Sequence, residues 1–307
     1  MLPSPLFPPK KTFPRLGLGT WALGGGNDWG DSDPAAAQAA VLTALDEGIS
    51  FFDTAPSYGS GRAEEILGCA LKGRRTEVLL GSKCGICFKN GRPDHDLRPE
   101  SVFAECEASL KRLQTDYIDL YQIHWPDPKI PLEETLGALV RLKEQGKIRA
   151  VGVCNFGAAD AARARDLAGA VCVQGRMSLL SPQKADLLKV CREKEMSFVA
   201  YGVLGGGVLS GKYERMPNFR RCDARRYFYK HYFGEDFLSA QAVAKRVKET
   251  AAQKGVAPSA VALAWALGGG GADCVLFGAR NAEQVRQNAH AAQVCLSLEE
   301  EEFLIHG

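Results

Sequence analysis

Short runs rich in β-branched and other apolar residues alternate along the chain with longer stretches whose apolar residues recur every three or four positions. The short runs predict eight strands, at Leu16–Gly19, Ile49–Asp53, Val78–Lys83, Ile118–His124, Arg149–Val153, Val171–Gln174, Ser197–Tyr201 and Cys274–Phe277. Eight strands with helical connections are typical of a closed parallel barrel. We therefore expect the α/β class, with one (β/α)8 TIM-barrel domain over residues 1–307.

Several helix boundaries carry their own signals. Asp33 and Pro34 supply a capping side chain and a first-turn proline for the helix that follows. Arg98, by contrast, stands before Pro99 where a capping Ser or Asp would be expected. That helix still has an inward apolar stripe, formed by Val102, Cys106, Leu110 and Leu113. The apolar stretch Ser259–Leu267 predicts an extra helix beyond the eight of the barrel.

One long segment, residues 212–238, breaks the alternation after the seventh predicted strand. It is crowded with arginine and aromatic residues, namely Arg220, Arg221, Arg225, Arg226, Tyr227, Phe228, Tyr229, Tyr232 and Phe233. Long insertions in barrels tend to cover the mouth, where substrates bind. The same aromatics would suit a basic surface flap that packs on the barrel, so both interpretations stay open.

Composition narrows the function classes. The 38 Lys and Arg against 36 Asp and Glu leave a net charge of +2, which gives no reason to expect a nucleic-acid partner. The sequence has no uninterrupted run of about 18 apolar residues, so a membrane span is not expected. The proline-rich residues 1–10 lack the pattern of a secretory signal, and we interpret them as an extended arm. Ten scattered cysteines fit free thiols in a reducing cytoplasm better than a disulfide framework.

Two short motifs match the patterns of known binding sites, but the sequence around them does not fit those sites. Cys84 and Cys87 form a CxxC pair, yet no second pair follows at zinc-ribbon spacing and His95 lies in a loop-like stretch. We interpret both as loop cysteines and expect no metal. Residues 17–22, GLGTWA, match the shortened dinucleotide fingerprint GxGxxA. Further glycines follow where a Rossmann helix should run, and no acidic residue ends a second strand about twenty positions on, so that fold is not expected.

Four residues able to do chemistry fall at or just after strand ends. Asp53 ends the second predicted strand, Lys83 the third and His124 the fourth, and Tyr58 follows the second. The carboxyl ends of parallel barrel strands converge on one mouth. Each residue alone has an ordinary structural explanation, as a turn cap, a solvated charge, a packed ring or a core histidine. Their succession at strand ends is better explained by a shared pocket.

Such a set could protonate an alkoxide as it forms. A tyrosine with an ordinary pKa of about 10 donates poorly unless tuned. A nearby ammonium lowers that pKa, and a carboxylate keeps the ammonium in place. A histidine can orient and polarise a carbonyl oxygen. Since no side chain carries a hydride, this chemistry requires a redox cofactor.

The motifs around these residues resemble the aldo-keto reductases over nearly the whole chain, in that family's order. They are residues 53–59 (DTAPSYG), 81–83 (GSK), 119–126 (DLYQIHWP), 148–156 (IRAVGVCNF), 205–213 (GGGVLSGKY) and 278–284 (GARNAEQ). The resemblance implies a barrel that binds NADPH and reduces aldehydes or ketones. It also implies that Tyr58 is the general acid, that Lys83 and Asp53 tune it, and that His124 orients the substrate.

The resemblance further implies a set of cofactor-binding residues. Asn155 and Gln174 would hold the nicotinamide amide and Tyr201 would stack on its ring. Thr20 and Trp21 would line the mouth, and Asp53 belongs to both the catalytic and the cofactor-binding set. The remaining members of the set are Cys154, Leu204, Gly206, Lys212, Gly278, Arg280, Gln284 and Asn288. Cys154 departs from the serine of many relatives, Met177 from a tyrosine and Val203 from a proline, which puts cofactor affinity in question more than reaction type.

Arg280 favours NADPH over NADH, because a guanidinium pairs well with the additional phosphate. Two other classes of function stay open on sequence alone. One is a binding or regulatory protein that keeps the barrel and cofactor but acts mainly through partners, as channel-associated β subunits of the family do. The other is a phosphate-binding barrel isomerase, which would need no nicotinamide. For the leading interpretation the partner is a small carbonyl compound.

Overall fold

The computed structural model describes residues 14–89, 92–183 and 185–307. Its strands, in chain order, are β1 (Leu16–Gly19), β2 (Phe51–Asp53), β3 (Leu79–Cys84), β4 (Ile86–Lys89), β5 (Arg92–His95), β6 (Ile118–Ile123), β7 (Ile148–Cys154), β8 (Cys172–Arg176), β9 (Ser197–Tyr201) and β10 (Cys274–Gly278). All except β4 and β5 pair in parallel and close into a barrel in the order β1-β10-β9-β8-β7-β6-β3-β2. The predicted (β/α)8 barrel is confirmed.

Helices surround this barrel. In chain order they are α1 (Trp21–Gly24), α2 (Gly26–Trp29), α3 (Pro34–Asp46), α4 (Arg62–Ala70), α5 (Pro99–Leu113), α6 (Leu132–Glu144), α7 (Ala158–Ala168), α8 (Ala185–Glu193), α9 (Arg225–Phe228), α10 (Gly234–Lys254), α11 (Pro258–Leu267), α12 (Ala282–Ala289) and α13 (Leu298–His306). Helix α3 begins as predicted, with the Asp33 carboxylate accepting from the Ala35 amide at 3.0 Å. Arg98 makes no side-chain cap for α5, and α11 is the predicted extra helix.

The barrel interior changes from apolar to polar along the strands. Inward-facing apolar side chains fill the lower half, namely Phe51, Leu120, Ala150, Cys172, Val199, Cys274 and Leu276. Because side chains on a strand alternate in direction, the next inward positions lie two residues further on. Several of these are polar and buried: Asp53, Gln122 and Gln174. The packed apolar layer therefore supports a polar floor at the carboxyl end of the strands.

Strands β4 and β5 form an antiparallel hairpin that the sequence did not predict. Ile86 pairs with His95 and Phe88 with Pro93. Cys84 ends β3 and Cys87 lies on β4, so the interpretation of both as loop cysteines was wrong. The strand pattern was hidden because β5 contains a proline and polar residues, which are uncommon in strands but tolerated at edges.

The segment after β9 is more ordered than predicted. Short helices occupy Gly205–Ser210 and Lys230–Tyr232 in addition to α9, and α10 begins at Gly234. The predicted end of the loop at residue 238 is therefore wrong, because the last residues of the range 212–238 belong to α10. Glu235 and Asp236 in the first turn of α10 favour a helix start through the helix dipole, a signal that the neighbouring aromatic run obscured.

The predicted arm, residues 1–10, lies outside the described residues. In the part of the chain that the structure describes, no helix is both long and apolar enough to cross a bilayer. None of the ten cysteines, all of which lie within the described residues, forms a disulfide. The described ranges contain no cluster of three or more His, Cys, Asp or Glu side chains that could hold a metal ion.

Candidate active site

A buried ion pair lies at the carboxyl end of the barrel. Lys83 Nζ is 2.5 Å from Asp53 Oδ1. The same ammonium donates to the Thr54 carbonyl at 2.9 Å and to the Tyr58 hydroxyl at 3.2 Å. Topology brings the pair together, because Asp53 ends β2 and Lys83 lies near the end of the adjacent β3. Three of the predicted catalytic residues therefore meet.

The second oxygen of Asp53 is held by two amides. Gln122 Nε2 donates to Asp53 Oδ2 at 3.1 Å and Gln174 Nε2 donates at 2.9 Å. Together with the ammonium, these donors fix the carboxylate in one orientation. Gln122 was not among the residues predicted from the sequence. The signal was available, since Gln122 lies two residues before His124 and therefore faces the same side of the strand.

Two aromatic rings pack against the Tyr58 ring. The Trp21 ring stacks on the Tyr58 ring at a centroid distance of 5.9 Å, and the His124 ring meets it edge-on at 5.8 Å. The loop that carries Tyr58 is fixed by a close backbone contact with α1. A Cβ on Gly24 would lie 2.9 Å from the Tyr58 carbonyl carbon, so only glycine lets the two segments approach. All four predicted catalytic residues thus lie together.

Burial sets the protonation of these groups. It raises the pKa of Tyr58 to about 12, and the Lys83 charge opposes that shift as the next influence. The expected lowering by the ammonium is present but outweighed. Burial lowers the pKa of Lys83, but the Asp53 charge and its other neighbours raise it overall. Burial, followed by the Lys83 charge, holds the pKa of His124 well below its usual range. At neutral pH the site therefore contains a phenol, an ammonium and a neutral imidazole.

Three of the predicted catalytic residues, Asp53, Tyr58 and His124, line a cleft of about 730 Å³. Most of the predicted cofactor-binding residues line it, namely Trp21, Asp53, Cys154, Asn155, Gln174, Tyr201, Leu204, Gly206, Lys212, Gly278, Arg280, Gln284 and Asn288. Thr20 does not. It is fully buried, and its hydroxyl donates to the Asp53 carbonyl at 3.1 Å. The expectation that Thr20 lines the mouth is therefore corrected: it supports the strand end beneath the cleft.

Next to His124, the cleft wall is a connected set of polar side chains. Tyr201 donates to Asn155 Oδ1 at 2.7 Å, and Asn155 Nδ2 donates to the His124 carbonyl at 3.0 Å. The same amide lies 3.2 Å from Cys154 Sγ. Asn155 has a φ of +64°, a conformation that asparagine tolerates better than most residues. These hydrogen bonds hold the Tyr201 and Asn155 side chains in place on the cleft wall.

At the far end of the cleft, Asn288 is almost fully buried and its Oδ1 atom has no hydrogen-bond partner in the described protein. An unsatisfied buried acceptor is costly, so this atom suits a donor supplied by a ligand. The Arg280 guanidinium donates to the Asp31 carbonyl, and the Arg280 amide donates to Gln284 Oε1 at 2.8 Å. This end of the cleft therefore lies between the loop after β1 and the start of α12.

Three cations, Lys212, Arg225 and Arg280, converge toward this far end of the cleft. Burial lowers the pKa of Lys212, and the charges of Arg225 and Arg280 lower it further. Arg225 is held by Asp223 at 2.6 Å and lies over the Trp29 ring at 4.9 Å. Such a concentration of positive charge in a cleft favours an anionic ligand. Arg225 was predicted to lie in the loop after the seventh strand but was not among the predicted cofactor-binding residues.

The long segment after β9 combines the two roles that the sequence left open. Tyr229 and Tyr232 are buried, and the Tyr232 hydroxyl donates to the Gly206 carbonyl at 3.0 Å. Phe228 lines the cleft, where its ring meets that of Trp21 at 5.3 Å. The segment also contacts the loop after β1, because the Ala224 amide donates to the Asp28 carbonyl at 2.8 Å. Its aromatics therefore both pack on the barrel and wall the cleft.

Comparison with known proteins adds three findings. The sequence profile of the Aldo/keto reductase family matches residues 15–304. The chain is 39% identical over 277 residues to the aldo-keto reductase YhdN of Bacillus subtilis (strain 168), covering 88% of this chain and 82% of that protein. It is 35% identical over 304 residues to the NADH-specific methylglyoxal reductase of Escherichia coli (strain K12), covering 93% and 92%.

The fold agrees with a solved structure of similar sequence. The glycerol dehydrogenase AKR11B4 from Gluconobacter oxydans superposes with a TM-score of 0.84 at 34% sequence identity, over 94% of this chain and 90% of that one. The family-profile match, residues 15–304, includes every barrel strand.

Proposed function

The chain belongs to the aldo/keto reductase family, and from this premise we propose that it reduces aldehydes or ketones with Tyr58 as the proton donor. As a member of that family it is an oxidoreductase that acts on carbonyl and alcohol groups of small molecules and uses a nicotinamide cofactor. The proposal extends this to the direction of the reaction, to the roles of individual residues and to the choice of NADPH.

One observation carries the assignment of the proton donor. The Tyr58 hydroxyl is hydrogen-bonded to the Lys83 ammonium at 3.2 Å and borders the cleft. The phenol keeps its proton at neutral pH, since burial raises its pKa to about 12. A donor must hold a proton before it can give one, and the adjacent ammonium stabilises the phenolate that remains.

Each residue of the site has a separate role in the reduction. The cofactor, when bound, supplies the hydride that no side chain carries. The neutral His124 imidazole positions the carbonyl oxygen near the Tyr58 hydroxyl, and Tyr58 gives its proton to that oxygen as negative charge develops on it. Lys83 and Asp53 stay charged throughout, so the field around the hydroxyl is already in place when the proton moves. The aromatic walls of Trp21 and Phe228 limit access of water.

Features of the cleft support NADPH as the cofactor. The unpaired Asn288 oxygen suits a base with an amino group, and Lys212, Arg225 and Arg280 suit phosphates. Arg280 lies at the same end as Asn288, where an additional phosphate would face a guanidinium. The Escherichia coli relative is named as NADH-specific, so this preference needs its own test. Equal dissociation constants for NADPH and NADH, measured by fluorescence titration, would contradict it.

The central experiment compares wild type with Tyr58→Phe in the reduction of a panel of aldehydes and ketones, followed by NADPH absorbance. The substitution removes the hydroxyl and keeps the ring against Trp21. We expect kcat to fall by about 100-fold or more with NADPH binding unchanged. Tyr227→Phe, at a tyrosine that is 74% exposed, is the matched control and should keep wild-type turnover. Equal activity of Tyr58→Phe and wild type would refute the assignment.

Three broader properties complete the proposal. We propose that the chain is one domain, which the barrel strands running from Leu16 to Gly278 support. We propose a reducing, cytoplasmic location, supported by ten cysteines that form no disulfide within the described residues. A nucleic-acid partner is not proposed, because the net charge is only +2.

A further inference from the structure

Gln122 is a fully buried glutamine in the polar floor beneath the cleft. Its Nε2 atom donates to Asp53 Oδ2 at 3.1 Å, and its Oε1 atom accepts from Gln174 Nε2 at 3.3 Å. Asp53 and Gln174 line the cleft, whereas Gln122 has no exposed surface with which to touch a ligand. Any effect of Gln122 on a reaction in the cleft therefore passes through these two neighbours.

Strand pairing explains why this side chain lies against Asp53. Gln122 on β6 pairs with Lys83 on β3 at one side and with Gly152 on β7 at the other. A Cβ on Gly152 would lie 2.9 Å from Gln122 Cγ, so the glycine leaves the space that the glutamine side chain fills. The amide group at the end of this side chain therefore has a defined place in the floor.

The two glutamines and Asp53 form a closed set of hydrogen bonds. Gln174 Nε2 also donates to Asp53 Oδ2, at 2.9 Å, so this oxygen accepts from both amides. One N–H of Gln174 is directed to Asp53 and the other to Gln122, which leaves the Gln174 oxygen facing the Cys154 thiol at 3.5 Å. Turning either amide over would place an oxygen against an oxygen. The protein thus sets the orientation of both amides before a ligand enters.

We propose that Gln122 is a positioning residue for proton transfer, because it fixes the Asp53 carboxylate that places the Lys83 ammonium against the Tyr58 hydroxyl. This inference rests on the proposed carbonyl reduction with Tyr58 as the proton donor. Lys83 donates to Asp53 Oδ1 and to the Tyr58 hydroxyl. A single donor on Oδ2 would leave the carboxylate free to turn about that bond, whereas the two amides prevent this. The ammonium bound to Oδ1 therefore stays within reach of Tyr58.

Replacing Gln122 with leucine removes both contacts and keeps a side chain of similar size. The probe is propanal or 4-nitrobenzaldehyde, whichever wild type reduces faster. We expect the single-turnover rate to fall about 10–30-fold, because the lost hydrogen bonds involve a charged group or its direct partner. KM for the aldehyde and the dissociation constant of NADPH should stay within about threefold, since Gln122 does not reach the cleft.

Val151→Ala is the matched control for a general loss of packing. Val151 is fully buried on β7, and its neighbour Ala150 faces the barrel interior, so Val151 faces outward. This variant leaves a cavity between the strand and the surrounding helices and should lose stability. Its single-turnover rate should stay within about twofold of wild type, because no contact of Asp53 changes.

Replacing Gln122 with glutamate gives a readout that a packing role would not produce. A protonated carboxyl reproduces both contacts, since its O–H donates to Asp53 Oδ2 and its carbonyl oxygen accepts from Gln174 Nε2. An ionised carboxylate has no proton to donate and repels Asp53. Relative to wild type at the same pH, the single-turnover rate should be within about threefold at pH 5.5 and should fall about tenfold or more by pH 9.

The groups around position 122 set the direction of this change. Full burial and the Asp53 charge both favour the protonated form of the introduced carboxyl, which raises its pKa above the roughly 4.3 of a glutamate in water. The Lys83 charge opposes this shift, but Asp53 at 2.5 Å already compensates it. The nearby thiols stay neutral, because burial raises the pKa of Cys154 to about 12 and that of Cys172 well above its usual range.

A second readout reports on Tyr58 without turnover. Protein labelled with ¹³C at Cζ of its eight tyrosines gives one NMR signal for each, and Tyr58→Phe identifies the signal of Tyr58. This signal senses the hydrogen bond from Lys83. It should shift in Gln122→Leu, stay in place in Val151→Ala and move with pH alongside the rate in Gln122→Glu. If wild type reduces no carbonyl compound but these shifts appear, the proposed function fails and the positioning role stands.

Two results would overturn the inference. One is a Gln122→Leu protein that keeps both the wild-type rate and the wild-type Tyr58 signal. The other is a Gln122→Glu protein whose rate is as low as that of Gln122→Leu at every pH from 5.5 to 9, because a protonated carboxyl would then fail to replace the amide.

Discussion

Replacing Asp53 with asparagine tests the ion pair on which the mechanism depends. The Asp53 carboxylate accepts from Lys83 through one oxygen and from the Gln122 and Gln174 amides through the other. An asparagine has one oxygen and one amide, so whichever way it turns, a donor faces a donor. The ammonium of the fully buried Lys83 loses its counter-charge at the same time.

The expected magnitude follows from this geometry. At 2.5 Å and an effective dielectric constant of about 20, the attraction between the two charges is about 7 kcal/mol. The loss is smaller than this, because Lys83 can release its proton. Removing one partner of a buried pair typically costs about 3–5 kcal/mol, and we expect Asp53→Asn to lower the free energy of unfolding by that amount. A neutral Lys83 no longer stabilises the phenolate of Tyr58, so kcat should fall by about 100-fold or more.

Urea unfolding and single-turnover reduction measure the two effects separately. Asp46→Asn is the matched control, because that carboxylate is 71% exposed and lies 3.5 Å from Arg74; its effect should stay below about 0.5 kcal/mol. The double variant Asp53→Asn/Lys83→Met removes the unpaired cation and should regain most of the stability while staying inactive. An Asp53→Asn protein with wild-type stability and kcat would refute the reasoning, and so would a double variant less stable than the single one.

Three further predictions concern the cleft and its surroundings. Arg280→Met should raise the dissociation constant of NADPH by about 10–100-fold and leave that of NADH nearly unchanged in fluorescence titrations, since the lost contact is charge-assisted; equal effects on both cofactors would contradict a phosphate contact. Cys154→Ser should tighten NADPH binding by about 2–5-fold, because a hydroxyl is a better partner than a thiol for the Asn155 amide now 3.2 Å from Cys154 Sγ; weaker binding in the same titration would count against it. Burial raises the folded-state pKa of Glu105 to about 7, so wild type loses stability as pH rises from about 4.3 to about 7. In urea unfolding, Glu105→Gln should therefore be more stable than wild type by about 2 kcal/mol at pH 8 but not at pH 4.5. A stability difference that does not change with pH would contradict this linkage.

Strand positions and the catalytic set could be predicted from the sequence because both depend on short-range patterns. A buried parallel strand is a compact apolar run, and the barrel places the residue at its end at the shared mouth. Asp53, Lys83 and His124 needed no further information to be grouped. Tyr58 followed because it lies only five residues beyond Asp53.

The direction in which the pKa of Tyr58 is shifted could not be predicted from the sequence in the same way. The sequence shows that Lys83 and Tyr58 lie near each other, and from this a lowered tyrosine pKa was expected. Whether burial or the Lys83 charge dominates the pKa of Tyr58 depends on how completely its hydroxyl is removed from water. Trp21 and His124 pack against its ring from elements more than 30 residues away on either side, and burial outweighs the ammonium. Desolvation is a property of the whole packed site, so no local motif records it.

The contact between Glu105 and Gly85 also could not be predicted from the local sequence. Glu105 and Glu107 flank the buried Cys106 on α5, and helical periodicity alone assigns both to the polar side of the apolar stripe. They differ in where the helix lies against the barrel, since Glu105 reaches the Gly85 amide, whereas Glu107 is exposed and pairs with Lys147. The rotation of α5 about its axis decides which carboxylate reaches the hairpin, and the packing of the whole stripe sets that rotation. The paired substitutions Glu105→Gln and Glu107→Gln therefore isolate what the tertiary fold adds to two positions that are equivalent in the local sequence pattern.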